Sequence, residues 1–213
     1  MTIQTVFLCC ALGGYVLGSI PFGLVLTRMA GYGDIRKIGS GNIGATNVLR
    51  TGNKTLALLT VLCDAFKAGF AAWLAFRLVP ADDYVFFGFY TRLNVVASLI
   101  AGTLGILGHN FPVWLKFKGG KGVASAFGFI LVTNWQIALL AFGIWLIMAF
   151  AFRYSSLAAL TAAASVPVIS FFMAEPVYAL FYSFIAVLVI VRHHANISRL
   201  LKGQESKITF KKK

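Results

Sequence analysis

Three stretches of this chain gather hydrogen-bond donors and positive charge among glycines. The first is Gly39-Ser40-Gly41-Asn42-Ile43-Gly44-Ala45-Thr46-Asn47-Val48-Leu49-Arg50. Its small residues let backbone N–H groups converge, and Ser40, Asn42, Thr46 and Arg50 add side-chain donors, the chemistry of an anion cradle sized for phosphate. The second runs Gly108-His109-Asn110-Phe111-Pro112-Val113-Trp114-Leu115-Lys116-Phe117-Lys118-Gly119-Gly120-Lys121-Gly122-Val123. Glycines around alternating lysines allow close backbone approach and bring two or three ammonium groups together, which suits a phosphate carrying more than one negative charge. It is not a Walker A loop, because Lys121 is followed by Gly122 rather than Ser or Thr. The third runs from Arg192 to Glu205 and sets His193, Asn196 and Arg199 three residues apart, which places them on one face of a helix.

The elements that must position these segments are membrane helices. Hydrophobic residues make up 59% of the 213 residues and charged residues 12%, and the mean hydropathy of +0.84 excludes an ordinary soluble domain. Hydrophobic runs occupy Thr5–Thr27, Thr55–Val79, Leu93–Gly108, Val123–Val132, Trp135–Ala151, Ser156–Met173 and Pro176–Val191. Most approach the ~20 residues that cross a bilayer as helix, and the fourth, at about ten, is short. Charge decides how to count it. With seven crossings, Arg28, Arg36, Lys37, Arg50, Lys54, Lys116, Lys118, Lys121, Arg153 and the seven basic residues from Arg192 onward share one side, sixteen of nineteen in all. Lys and Arg gather on the cytoplasmic side, so the expected fold is an all-α integral membrane bundle of seven transmembrane helices, N-terminus outside and C-terminus cytoplasmic. A re-entrant fourth run would move Arg153 and the basic tail outside, against that rule. The first run is long and lacks a basic n-region and a small-residue cleavage site, so it counts as the first helix rather than a removed signal peptide.

The expected organisation is a single polytopic membrane domain over 1–213, with a basic cytoplasmic tail over about 198–213. The net charge of +13 borders membrane helices and suits anionic lipid headgroups rather than nucleic acid. Cys9, Cys10 and Cys63 lie inside spans without metal-ligand spacing. Asp64 and Lys67, three apart in the second run, are costly at that depth unless paired or facing an aqueous cavity; an ion pair and a polar cavity wall both fit. Each donor-rich segment alone also has a plainer use: a glycine turn, a basic loop meeting lipid, histidines complementing a helix C-terminus. Their convergence on one membrane face is what favours a site.

The three segments together, Gly39 through Arg50, Gly108-His109 through Lys118-Gly119-Gly120-Lys121-Gly122, and His193-x-x-Asn196-Ile197-x-Arg199-Leu200 through Gly203-x-Glu205, resemble the signature motifs of the bacterial acyl-phosphate-dependent glycerol-3-phosphate acyltransferases, the PlsY family. The resemblance runs from the first helix to the tail. It implies an enzyme of phospholipid biosynthesis in the bacterial inner membrane, with a seven-helix fold and an active site facing the cytoplasm. The reaction implied is acyl transfer from acyl phosphate to the 1-hydroxyl of glycerol 3-phosphate, giving lysophosphatidic acid and inorganic phosphate. By matching positions, Ser40, Gly41, Asn42, Thr46 and Arg50 hold phosphate; Lys118 and Lys121 neutralise the second phosphate beside Gly119 and Gly120, with Lys116 peripheral; His193 and Asn196 close the site. Ser40, Arg50, Lys121, His193 and Asn196 form the expected catalytic set. Ser156 resembles a small polar position of the family and joins the expected phosphate-binding set. The expected partners are the two substrates, membrane lipids and an enzyme that supplies acyl phosphate; no metal or nucleotide cofactor is implied.

This chemistry needs a proton acceptor near the glycerol hydroxyl, oxyanion stabilisation and neutralisation of departing phosphate. His193 is one acceptor and His109 a second, because histidine titrates near neutrality. No Ser-His-Asp set and no His-x-x-x-x-Asp pair of the acyl-CoA-dependent enzymes is present. That leaves room for substrate assistance, the favoured route, in which a phosphate oxygen of a bound substrate takes the proton. A transporter of organic phosphates is the alternative from another class, although the opposite face offers Asp82, Asp83 and Glu175, with Arg92 the only basic group in those connections.

Overall fold

A computed structural model of the chain describes residues 1–208. Lys211, Lys212 and Lys213 of the expected basic tail lie outside the described residues. The chain packs as two compact units, Met1–Thr133 and Asn134–Lys213.

In the first unit, α1 (Ile3–Gly18) and α2 (Phe22–Met29) divide what the sequence suggests is one continuous run. Pro21 lies between them; it has no N–H to continue the ladder and disfavours helix in the residue before it. Asn53 caps α4 (Lys54–Leu78), its Oδ1 accepting the Leu56 N–H at 3.0 Å. α5 spans Leu93–Asn110 and α6 Val123–Thr133, while a single turn, α3 (Ala45–Val48), lies in the loop between α2 and α4. α1 packs on α5, and α4 packs on both α5 and α6. Where lipid surrounds a protein, helices associate through close approach of small residues. Gly14 and Gly18 of α1 accordingly lie against the backbone of Ala101 and Gly105 in α5, with no room for a Cβ. Leu8, Leu12 and Val16, on the other side of α1, are exposed.

Between α4 and α5 the chain forms an antiparallel hairpin, β1 (Asp83–Phe86) with β2 (Phe89–Arg92). Phe87 and Gly88 at its tip both have positive φ, 47° and 85°, the turn geometry that matches strand twist. This hairpin is an addition to the all-α expectation.

In the second unit, α8 (Ser155–Met173) packs between α7 (Trp135–Phe152) and α9 (Pro176–Arg192). α10 (His194–Leu201) follows after a break at His193 and contacts α8 and α9. Among the described residues five segments are long and apolar enough to cross a membrane: Ile3–Met29, Lys54–Leu78, Leu93–Leu115, Trp135–Phe152 and Ser155–Met173. α9 with α10, bent by 58°, makes a sixth. α6, on the short fourth run, has 11 residues, which at 1.5 Å per residue is about 16 Å, roughly half a hydrocarbon core. The fold is thus that of a helical integral membrane protein with five to six segments of spanning length.

Candidate active site

The loop between α2 and α4 carries the first segment, and Asn47 organises it. Its Nδ2 donates to the Ile35 carbonyl at 2.7 Å, and its Oδ1 accepts the Ser40 N–H at 3.1 Å and the Ser40 hydroxyl at 3.4 Å. Asn42 Oδ1 accepts the Gly44 N–H at 2.9 Å, and the Gly41 N–H donates to Ile38. Gly39, at φ 54°, lies under the Arg50 arm: a Cβ there would overlap the guanidinium and Asn47 Oδ1. Arg50 is therefore laid across the loop next to Ser40.

Electrostatics single out Arg50 further. Arg36 and Arg28 both pair with Asp34, at 2.5 and 3.2 Å. The hydrogen bonds from Arg36, above all, hold the Asp34 carboxyl well below the usual carboxylate range. The Arg50 guanidinium has no hydrogen bond or ion pair among the described residues. Ser40 and Thr46 are exposed, with Asn42 half-buried.

The second segment follows α5. Its Gly119 and Gly120 N–H groups donate to the carbonyls of Asn110 and His109, at 3.1 and 3.0 Å, so these two amides serve to fold the loop back onto the helix end. Lys116 and Phe117 both take left-handed backbone, φ 51° and 61°, a conformation that non-glycine residues adopt at a cost and that surrounding contacts must hold. Tyr15 and Trp114 supply such contacts, from the Tyr15 hydroxyl to the Phe111 carbonyl at 2.7 Å and from Trp114 Nε1 to the Ser19 carbonyl at 3.0 Å. Lys116 and Lys118 are exposed and Lys121 is half-buried. Both loops share one apolar floor: Leu24, Ile35, Ile43, Val48 and Ala57 form a buried cluster, and Leu115 of the second loop packs against it. The first two predicted segments are thus brought together in the first unit.

Beneath the second loop, Lys67 Nζ of α4 lies 3.0 Å from Asp64 Oδ1 and 2.9 Å from His109 Nδ1, and donates to the Ile20 carbonyl at 2.8 Å. The ion-pair expectation for Asp64 and Lys67 is met, with His109 as an added member.

The third segment lies in the second unit, around Glu205. Glu205 Oε1 accepts the Ser156 hydroxyl at 2.7 Å and Asn196 Nδ2 at 2.6 Å, and Oε2 accepts Arg199 Nε at 2.6 Å. Burial opposes the charge on Glu205, but these three donors and the Arg199 charge outweigh it and hold the carboxyl below its ordinary range. Asn196 and Arg199 share a face of α10 as their spacing predicts, whereas His193 sits at the break between α9 and α10. His193 Nδ1 lies 2.7 Å from the Val189 carbonyl. A carbonyl only accepts, so Nδ1 carries the proton and Nε2 is the basic nitrogen of the neutral ring. The Ser156 hydroxyl, expected at phosphate, here binds Glu205.

Sequence reasoning did not assign Asn47 or Glu205 a role. Glu205 is one of only six carboxylates in a chain of net charge +13, set in a basic tail, and that isolation was a usable signal.

The chain matches the family profile described as Glycerol-3-phosphate acyltransferase over residues 8–203. It is similar to the glycerol-3-phosphate acyltransferase of Rhodospirillum rubrum, 53% identical over 208 residues covering 96% of this chain and 92% of the relative. That of Mesorhizobium japonicum is 54% identical over 198 residues, covering 93% and 94%. Among solved structures, the fold is similar to PlsY, an integral membrane glycerol 3-phosphate acyltransferase. Its glycerol 3-phosphate form gives a TM-score of 0.84 at 36% identity, covering 95% of this chain and 96% of that one. Its lysophosphatidic acid form gives 0.82 at 35%, covering 95% of each.

Proposed function

The chain belongs to the glycerol-3-phosphate acyltransferase family, and from that membership we propose that it moves a fatty acyl group from acyl phosphate to the 1-hydroxyl of sn-glycerol 3-phosphate, giving lysophosphatidic acid and inorganic phosphate. The observation that carries the reading is Arg50, a guanidinium fixed across Gly39 beside Ser40 and without a carboxylate partner among the described residues. Such a group awaits an anion, and its planar fork suits phosphate oxygens. The named relatives are acyltransferases, which leaves the organic-phosphate transporter without support.

In the reaction the glycerol 1-hydroxyl oxygen bonds to the acyl carbonyl carbon, and the bond from that carbon to the phosphate oxygen breaks. Phosphate leaves with the electron pair and no protein nucleophile is needed. Ser40, Gly41, Asn42, Thr46 and Arg50 hold one phosphate, while Lys118 and Lys121, with Lys116 at the edge, neutralise the other. Gly119 and Gly120 let their loop lie close on α5. His193 and Asn196 serve the same reaction, and Ser156 contributes through Glu205. The hydroxyl proton passes to a phosphate oxygen of a bound substrate, with fixed charge and position supplying the rate. A second acceptor, His193 Nε2, is favoured by the fixed tautomer at Val189.

The same reading places the chain as one polytopic domain in the bacterial inner membrane, crossing seven times with its N-terminus outside and its active site and C-terminus cytoplasmic. The sixteen basic residues on one side support this orientation. Acyl phosphate reaches it from a supplying enzyme. The test is phosphate release by purified protein given palmitoyl phosphate and glycerol 3-phosphate, with palmitoyl-CoA as parallel donor. Release should require both substrates and fail with the CoA ester; equal turnover with palmitoyl-CoA would refute the donor assignment.

A further inference from the structure

Asp64, Lys67 and His109 are buried and take no part in the steps above. The Lys67 ammonium donates to the Ile20 carbonyl at 2.8 Å, lies 2.9 Å from His109 Nδ1 and pairs by charge with Asp64 Oδ1 at 3.0 Å, an oxygen that also lies 3.5 Å from His109 Nδ1. With the ammonium donating, His109 Nδ1 accepts and the ring proton resides on Nε2. The cluster therefore ties together the turn after α1, helix α4 and the end of α5. It does so well inside the spanning helix: Asp64 and Lys67 lie about 15–20 Å along α4 from its start at 1.5 Å per residue. Ionised groups so placed are expensive, and apolar side chains of similar volume hold helices together at least as well. Helix packing alone does not account for the cluster.

What the cluster touches on its other side is the glycine and lysine loop. The His109 carbonyl accepts the Gly120 N–H at 3.0 Å, and the neighbouring Asn110 carbonyl accepts that of Gly119. The Nε2 edge of the His109 ring abuts Gly120 so closely that a Cβ at residue 120 would overlap it. Upstream, Lys116 and Phe117 are in left-handed backbone, so the loop is held by its ties rather than by local preference. His109 thus meets the loop through both its backbone carbonyl and its ring.

We infer that Asp64, Lys67 and His109 form a positioning device that fixes the Gly119-Gly120-Lys121 loop on α5, so that its lysines meet the phosphate of glycerol 3-phosphate. The inference rests on the acyltransferase reading and assigns the three residues to binding of that substrate rather than to bond making. It also withdraws His109 from the role of proton acceptor, because its accepting nitrogen is occupied by Lys67.

The test compares wild type with Asp64→Asn, His109→Asn and the charge-balanced double variant Asp64→Asn/Lys67→Met. Asn at 109 keeps an acceptor for Lys67 and removes the ring edge from Gly120. Phosphate release gives kcat and both KM values; calorimetric titration with glycerol 3-phosphate alone gives its Kd without a donor. The expected result is a rise of about tenfold or more in KM and Kd for glycerol 3-phosphate, with kcat and the palmitoyl phosphate KM within about threefold of wild type. The double variant leaves no unpaired buried charge, so it should melt near wild type and still bind weakly, which keeps the test decisive if Asp64→Asn does not fold. Unchanged KM and Kd in the folded double variant, or a fall confined to kcat, would overturn the inference. Wild type that binds glycerol 3-phosphate and releases no phosphate would instead sink the acyltransferase reading, and the titration would then judge the positioning role alone.

Discussion

Replacing Glu205 by Gln keeps its shape and removes its charge. Glu205 Oε1 serves Ser156 and Asn196 while Oε2 serves Arg199 Nε. A glutamine has one oxygen, so if it stays with Ser156 and Asn196 its NH2 group faces Arg199, donor against donor. The lost bond to a charged group amounts to roughly 1.5–3 kcal/mol, and because the Arg199 side chain is 41% exposed, screening leaves about 1 kcal/mol. The two remaining bonds fall from charge-assisted to neutral, together roughly another 1–2 kcal/mol. The total of about 2–3 kcal/mol corresponds to a melting temperature lower by about 4–12 °C for a chain of this length. The pH dependence adds a second signature. A carboxyl whose folded pKa lies below its unfolded value contributes stability above the unfolded pKa and loses it as pH falls through the folded one. Glu205 is such a group, so the melting curves of wild type and Glu205→Gln should converge on acidification below the ordinary carboxylate range. Thermal unfolding followed by tryptophan fluorescence in detergent, at neutral and acid pH, reads both effects. A melting temperature unchanged at neutral pH, or a gap that persists undiminished in acid, would refute the reasoning.

Three further outcomes follow from the same geometry. Arg50→Ala should leave the melting temperature near wild type, because the guanidinium has no partner among the described residues, while kcat/KM falls about 10²–10⁴-fold for loss of two charge-assisted bonds to phosphate; Arg50→Lys should recover part of that loss, since one point charge replaces the fork. Asn47→Ala removes the bonds to Ile35 and Ser40 and should lower kcat/KM about tenfold as the loop loosens, read by steady-state kinetics. His193→Ala should retain a few per cent of activity, roughly a 2 kcal/mol loss, with an unchanged pH profile if a substrate phosphate takes the proton; total loss with an altered profile would assign that role to His193.

Hydropathy made the long helices legible, because lipid as solvent demands runs of apolar residues whatever their packing partners. The break at Pro21 was not legible in a run of uniform hydropathy, although proline was its visible cause. The hairpin of β1 and β2 lies in a short connection between membrane helices, where the strand-forming Tyr84-Val85-Phe86 and Phe89-Tyr90-Thr91 around Phe87-Gly88 carried its signal. At the site, residue types near one another in sequence were readable. Interactions across long separations were not: Ser156 reaches Glu205 across 49 positions, and Lys67 reaches His109 across 42. The glycines of the second loop were expected to allow close backbone approach at the phosphate site, and only the folded loop reveals that Gly119 and Gly120 direct their amides to Asn110 and His109.

The central claim is tested most directly by time-resolved release of inorganic phosphate from palmitoyl phosphate by the purified protein in lipid mesophase, with and without glycerol 3-phosphate, beside Arg50→Ala. The account predicts phosphate and lysophosphatidic acid in equal amounts, only when both substrates are present, and a loss of both products in the variant. Phosphate release that ignores glycerol 3-phosphate, or an Arg50→Ala protein as active as wild type, would contradict it.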